Sequence, residues 1–449
     1  MRVSIVGTGY VGLVSGVGLA SVGHDVTCVD VDRNKVDLIN AGRAPIHEEG
    51  LEALLARHIG KNLRATCNLD EAVLNSELTL IAVGTPFDGD GIGLQYIETA
   101  AHQIGTALAK KSVYHVVVVK STVTPGTTDS LVLPILERAS GKRAGFDIGV
   151  GMNPEFLREG DALRDFMEPD RIVLGGIDER TQDTLARLYA PFAKADILRT
   201  SPRTAEMIKY AANSLLATLI SFSNEIANLS ASIGVDAIDV MRGVHLDKRF
   251  APVLPDGSRV WPGSIAYLEG GCGFGGSCFP KDVKALIAFG RDHGNAMRLL
   301  SAVMDVNYAQ PGRMVELLSE RIGSLAGARV TVLGMAFKPG TDDIRESPSL
   351  PVTADLVARG ARVTVYDPIA SPAVKAVLGD QIRYADRLAP AVGEADGILI
   401  MTRWDEFLEL PTILKGRDPQ PVVVDGRRML PANSVERYAG IGFGGASPL

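Results

Sequence analysis

Cysteine is scarce, with four in 449 residues, at positions 28, 67, 272 and 278, none in a C-x-x-C pair and none beside a histidine cluster. That scarcity argues against a disulfide framework or a zinc site, so no metal is expected, and it points to a reducing, cytoplasmic setting. Charge of one sign is not concentrated either. The net charge is −7, charged residues make up 22%, and no basic tail or stripe is present. Nucleic acid and anionic membranes are therefore not expected partners. No uninterrupted apolar run reaches the roughly 18 residues of a membrane-spanning helix. The opening MRVSIVGTGYVGLVSGVGLASVG superficially resembles a secretory leader, but Gly7, Gly9, Gly12, Gly16 and Gly18 interrupt it and have a better explanation.

What the chain does have is alternation. RVSIV, DVTCVDV, LTLIAVG, HVVVVKST, DIGVGM and RIVLGG are apolar runs separated by amphipathic stretches, the pattern of a parallel sheet with helices on both faces, up to about residue 200. Residues 203–233 then lack Pro and Gly and are apolar almost all round, which predicts one long buried helix that needs a second layer from its own chain or a partner. Helical segments are expected at about 235–243 and 281–325. From residue 328, ARVTVLG and ARVTVYDP echo RVSIVG and DVTCVDVD, as the first two strands of another mononucleotide-binding half. The expected fold is α/β: two Rossmann-like doubly wound domains joined by a central long-helix region. The expected boundaries are 1–200 for the first α/β part, 201–325 for the helical part, and 326–449 for the second α/β part. The tail beyond about 440 is expected to be mobile.

Gly7-Thr8-Gly9-Tyr10-Val11-Gly12 follows the first strand and opens a helix, and the second strand ends at Asp30. The first glycine permits the tight turn, the second a close phosphate approach, and the third close helix packing, with the helix N-terminus facing the pyrophosphate. Asp30 is placed to bind the adenosine ribose diol and to repel a 2′-phosphate, favouring NAD over NADP. The second copy lacks this fingerprint and carries Lys338 in its turn, which suits a different phosphate-bearing ligand.

Cys278 lies in the glycine-dense GGCGFGGSCFPKD, just before a helix start at Pro280, where the macrodipole and Lys281 favour a thiolate. A lone cysteine is more often a small buried hydrophobe. Lys209 and Asn213, four apart on the long helix with Glu206 a turn earlier, share a face suited to stabilising an oxyanion, against the alternative of a salt-bridged surface lysine.

Nine segments, in order, resemble the UDP-glucose/GDP-mannose dehydrogenase family: GTGYVG, VGTP, KSTV.PGT, NPEFLREG, FMEPDRIV.G, AEMIKYAAN, GFGGSCFPKD, FKPGTDDIRES and DGRR. The resemblance implies oxidation of C6 of a nucleotide sugar from alcohol to carboxylate with two NAD and one water. It makes Cys278 the nucleophile, Lys209 and Asn213 oxyanion stabilisers, and Asp282, Thr122 and Glu159 the groups around the water. Gly7, Gly9, Tyr10, Val11, Gly12, Asp30, Lys35, Thr85, Thr122, Glu159, Lys281 and Arg345 are implied at NAD. Glu155, Phe156, Leu157, Arg158, Lys209, Asn213, Phe274, Gly275, Phe337, Lys338 and Arg427 are implied at a UDP-sugar, with Arg249 lent across the interface of a homodimer or larger homo-oligomer. DGRR and TRWDEF favour the UDP-glucose branch. An enlarged loop at 252–268 leaves a UDP-N-acetylhexosamine or another UDP-hexose open, with GDP-mannose a further alternative. A simple hydroxy-acid dehydrogenase, or a silent NAD-sensing scaffold, would not require Cys278, Lys209, Asn213 and Asp282 together.

Overall fold

The computed structural model describes residues 1–89 and 91–445. They form two units, Met1–Ala212 and Asn213–Leu449, whose boundary falls inside the helix Pro202–Ser232. The first unit holds eight strands: β1 (Arg2–Val6), β2 (Asp25–Val29), β3 (Leu63–Thr66), β4 (Leu78–Ile81), β5 (His115–Val119), β6 (Ile148–Met152), β7 (Arg171–Gly176) and β8 (Asp196–Thr200). Their order across the sheet is β3-β2-β1-β4-β5-β6-β7-β8. Successive side chains point to opposite faces. Ile5, Leu80 and Val118 accordingly enter one core, and Val6, Ile81, Val117 and Val119 another.

The expected all-parallel sheet is corrected at one place: β6 meets β7 antiparallel, through Gly151↔Gly176 and Met152↔Gly175. Glycine permits this close approach. A Cβ on Gly151 would lie 2.7 Å from the Gly175 carbonyl oxygen, and one on Gly175 would lie 2.9 Å from Ala205 Cβ. The edge strands β3 (LRAT) and β8 (DILRT) escape a search for apolar runs because an edge strand is solvated and tolerates charge.

In the second unit β9 (Arg329–Leu333), β10 (Arg362–Tyr366), β11 (Arg383–Tyr384), β12 (Gly397–Ile400), β13 (Val422–Asp425) and β14 (Tyr438–Gly440) form an entirely parallel sheet in the order β11-β10-β9-β12-β13-β14. This repeats the order of β1–β6, and the echo reaches single bonds. Gly7 N–H donates to Val29 O and Gly334 N–H to Tyr366 O, both at 2.8 Å.

Three further expectations are revised. The helical stretch 281–325 is two helices, Phe279–Asp292 and Arg298–Ile322, broken where Gly294 and Met297 take φ of 74° and 45°. The long helix is not buried all round, because Met207, Leu215, Phe222 and Leu229 are 42–60% exposed on one side. The segment just past β14 is packed. Ile441 is buried, Gly442 O accepts from Ala237 N–H, and the Phe443 ring meets Tyr438 edge-on. The rest of the expected mobile tail, 446–449, lies outside the described residues.

Candidate active site

The dinucleotide cradle is built at the C-terminal ends of β1 and β2. Gly7 has φ +99°, and a Cβ there would sit 2.6 Å from Ala82 O. A Cβ on Gly12 would lie 1.9 Å from Gly7 O, so the third glycine is required by packing. Gly9, directly before the helix Tyr10–Ser21, has nothing within 4 Å of the position a Cβ would take. That open approach to free N–H groups fits the pyrophosphate of NAD. Asp30 accepts from Thr8 N–H and Oγ1 and from Asp32 N–H. Three donors against about four carboxylate acceptor sites leave one for a ribose hydroxyl. Burial alone would raise its pKa, but the Thr8 and Asp32 bonds and the charge of Lys35 bring it below the ordinary aspartate value. Asp30 is thus a fixed anion at the end of β2 with an acceptor site to spare, and the residues fit NAD.

Tyr10 and Val11 occupy the first turn of that helix. The Tyr10 hydroxyl bonds the Glu48 carboxylate, and Gly160 N–H donates to both groups. Glu48, which the sequence reading missed, therefore ties the cofactor helix to the NPEFLREG loop. Thr85 Oγ1 donates to Thr122 O at 2.8 Å, joining two other expected NAD-pocket residues.

Lys209 is salt-bridged, as the plainer reading had it, but not on the surface. It is 3% exposed, and its Nζ lies 2.9 Å from Oε1 of Glu155, itself 5% exposed. Burial pushes the Glu155 carboxyl up, and the Lys209 ammonium, the Leu157 N–H and Lys120 outweigh it, leaving the group below its usual value. Phe156 places its ring centroid 5.5 Å from Lys209 Nζ. Arg158 is exposed and forks onto Asp165, while Glu159 is buried. Glu206 turns to the KSTVTPGT segment, where its carboxylate accepts Gly126 N–H at 2.5 Å and Thr128 N–H at 2.8 Å.

In the second unit Cys278 is the N-cap residue of the helix Phe279–Asp292 and is half-buried, with the Ser277 hydroxyl 3.7 Å from its sulfur. One turn on, Asp282 is 1% exposed. Its Oδ2 accepts from Asn213 Nδ2 at 2.6 Å, and its Oδ1 pairs with Lys281 at 2.6 Å. A thiol at a helix N-terminus, followed on the next turn by a carboxylate fixed through an amide and an ammonium, has the groups that covalent capture and the handling of water require. The glycines before it are forced. A Cβ on Gly275 would lie 2.2 Å from Glu346 O, and one on Gly276 would lie 2.8 Å from the Phe337 ring. Phe274 is buried edge-on to Phe279, and its N–H donates to Asn307. Arg427 Nε donates to Met401 O at 2.6 Å, and the guanidinium lines Gly271 and Gly273.

In the second Rossmann half Asp367 ends its second strand as Asp30 does in the first, but its carboxylate is more fully engaged. It accepts N–H bonds from Met335, Ala336, Ile369 and Ala370, and Trp404 Nε1 lies 3.3 Å away. No helix opens directly after β9; the chain runs through 334–348, with half-buried Phe337 and Lys338, before the helix Ser349–Ala358. Arg345 forks onto Asp343 of its own loop. Arg249 stands apart, highly exposed and paired with Asp247.

Comparison with known proteins agrees along the length of the chain. The NAD-binding domain of the UDP-glucose/GDP-mannose dehydrogenase family matches residues 1–193, its central domain residues 203–309, and its UDP-binding domain residues 331–432. A UDP-glucose 6-dehydrogenase of Haloferax volcanii is 45% identical over 96% of this chain and 97% of that protein. A GDP-mannose 6-dehydrogenase of Azotobacter vinelandii is 42% identical over a shorter span, 82% of this chain and 81% of its own. The solved structure of a UDP-glucose dehydrogenase from Pyrobaculum islandicum superposes with a TM-score of 0.89 at 42% identity, covering 98% of this chain and 97% of that one.

Proposed function

Because this chain belongs to the UDP-glucose/GDP-mannose dehydrogenase family, a family of NAD-dependent oxidoreductases, we propose that it oxidises C6 of UDP-glucose from alcohol to carboxylate through a covalent bond to Cys278. The observation that carries the reading is the Cys278–Asp282–Asn213 arrangement: a half-buried thiol capping a helix, one turn from a buried carboxylate held by an amide.

The balance is one sugar, two NAD and one water giving the uronate, two NADH and three protons. NAD, when bound, is the two-electron acceptor at both oxidation stages. After the first stage the Cys278 sulfur bonds to the C6 aldehyde carbon and its proton passes to oxygen, giving a thiohemiacetal. After the second, a thioester remains; water attacks its carbonyl, the C–S bond breaks and the thiol is restored. Lys209 and Asn213 offset the negative charge that develops on oxygen at each addition. Asp282, with Thr122 and Glu159, orders the water. The cradle of Gly7, Gly9, Gly12 and Asp30 holds the cofactor, and Arg427, Phe337 and Lys338 belong to the sugar nucleotide. The 201–325 segment is read as its own domain, between NAD-binding and UDP-binding parts.

The chain is read as a cytoplasmic homodimer or larger homo-oligomer. The four free cysteines support the compartment, and the apolar side of the long helix supports the association. Among the described residues no helix is long and apolar enough to cross a membrane.

A panel of UDP- and GDP-sugars, followed by NADH absorbance, tests the reading. UDP-glucose should react fastest and give two NADH per sugar. One NADH with free aldehyde, or wild-type turnover in Cys278→Ala, would overturn the thioester route. Cys278→Ser should block turnover or leave a slow ester.

A further inference from the structure

Glu155 answers to two buried lysines, and only one of them touches it. Lys209 makes the direct pair at 2.9 Å. Lys120, at the end of β5, is 4% exposed and feels the charge of both Glu155 and Lys209. Its hydrogen-bond partners are neutral: Nζ donates to Asn153 Oδ1 at 2.9 Å and lies 3.5 Å from the Tyr189 hydroxyl. Asn153 is itself fixed, accepting from Tyr189 and donating to Val173 O at 2.9 Å. A buried ammonium without a direct carboxylate partner is costly, and a methionine of similar length would fill the same space more cheaply. Packing alone therefore does not account for a lysine here.

Resting on the oxidation described above, we propose that Lys120 is a positioning residue that works through the Glu155–Lys209 pair. Lys120 adds a second ammonium beside the one that Glu155 pairs with directly. Lys209 then confronts the developing oxyanion with that added positive charge behind it. Lys120 touches neither substrate nor cofactor in this role; its effect is purely that of charge at close range in a medium that screens poorly. Burial has already pulled its pKa down to about 8, with Lys209 pulling the same way and Glu155 opposing. Glu155 and Lys209 are the charged groups that face it, and Tyr189 is the further titratable one.

The test is the pH profile of kcat for the full-length protein and for Lys120→Met and Lys120→Gln, with NAD and UDP-glucose. In the wild type kcat should fall as pH rises through about 8, as the second charge is lost. Both variants should lack that limb and run level, at least about tenfold below the wild-type plateau, with the KM for the sugar within about twofold. Gln keeps the bond to Asn153 without the charge, so it separates charge from packing. A Lys120→Gln enzyme with the wild-type plateau and limb overturns the proposal, and so does a wild-type rate that stays level through pH 8. A wild type that reduces no NAD with any UDP- or GDP-sugar sinks the oxidation itself, a distinct result.

Discussion

Gly9 and Gly12 are spelled alike, yet they answer to different constraints, and substitution separates them. Gly12 has no room for a methyl group, since its Cβ would lie 1.9 Å from Gly7 O, a backbone atom that cannot step aside. Gly12→Ala should therefore cost stability, by at least about 2 kcal/mol on the usual scale of core overpacking, seen as a lower Tm without any ligand. Gly9 has an ordinary φ of −69° and open space around it. Gly9→Ala should fold with the wild-type Tm and lose at least about tenfold in NAD affinity by calorimetry, because the methyl group stands where phosphate must approach. Undiminished NAD binding in Gly9→Ala would refute the assignment of the cradle. At this scale the sequence was informative wherever a residue type has few uses: glycines at set spacing, Asp30 at a strand end, Cys278 beside a proline-started helix. It was silent on Glu48, Lys120, Asn153 and Asp367. Each has at least one partner 31 to 115 residues away, a pairing that appears only once strands are placed side by side.

Among the elements, the turn that follows β5 is held by a carboxylate from a different helix. Glu206 is fully buried and accepts Gly126 and Thr128 N–H. Burial raises its pKa to about 7, against the pull of the Thr128 and Gly126 bonds, with Asp129 adding to the rise. A folded pKa above the unfolded value near 4.5 means that the native state binds the extra proton. The stability this brings is fully present below about pH 4.5 and is lost as pH rises through about 7. The span corresponds to on the order of 3 kcal/mol. Glu206→Gln removes the titration along with one of the two accepted bonds. The difference in Tm between wild type and Glu206→Gln should therefore shrink as pH is raised from about 5 to about 7 in a calorimetric series. A constant difference would show that Glu206 does not titrate in that window. The helix period predicted that Glu206 and Lys209 lie on neighbouring turns. It could not show that they turn to different partners, Glu206 to a loop and Lys209 to Glu155.

At the level of the whole molecule, duplication was the most legible feature. ARVTVLG and ARVTVYDP point to a second sheet, and that sheet repeats the strand order of the first. Less legible was which side of the long helix its own chain leaves open, because apolar residues surround it and periodicity cannot choose among them. The structure makes the choice. Leu215, Phe222 and Leu229, seven residues apart, are 60%, 49% and 58% exposed. Residues at that spacing form a stripe along one side of a helix, the seam along which two helices pack. Burying each side chain would contribute about 1–2 kcal/mol, so pairing this stripe on two copies would favour their association. A glutamate at the centre of the seam would bring two like charges together in a drying interface. Phe222→Glu should therefore sediment as a monomer at micromolar concentration where the wild type should sediment as a dimer, while its far-ultraviolet circular dichroism is unchanged because the position is exposed in the single chain. If Arg249 reaches a neighbouring active site, the same variant should also lose UDP-glucose turnover, and Arg249→Ala should lose it while remaining dimeric. A monomeric wild type, or a Phe222→Glu protein that stays dimeric, would exclude this face as the subunit contact.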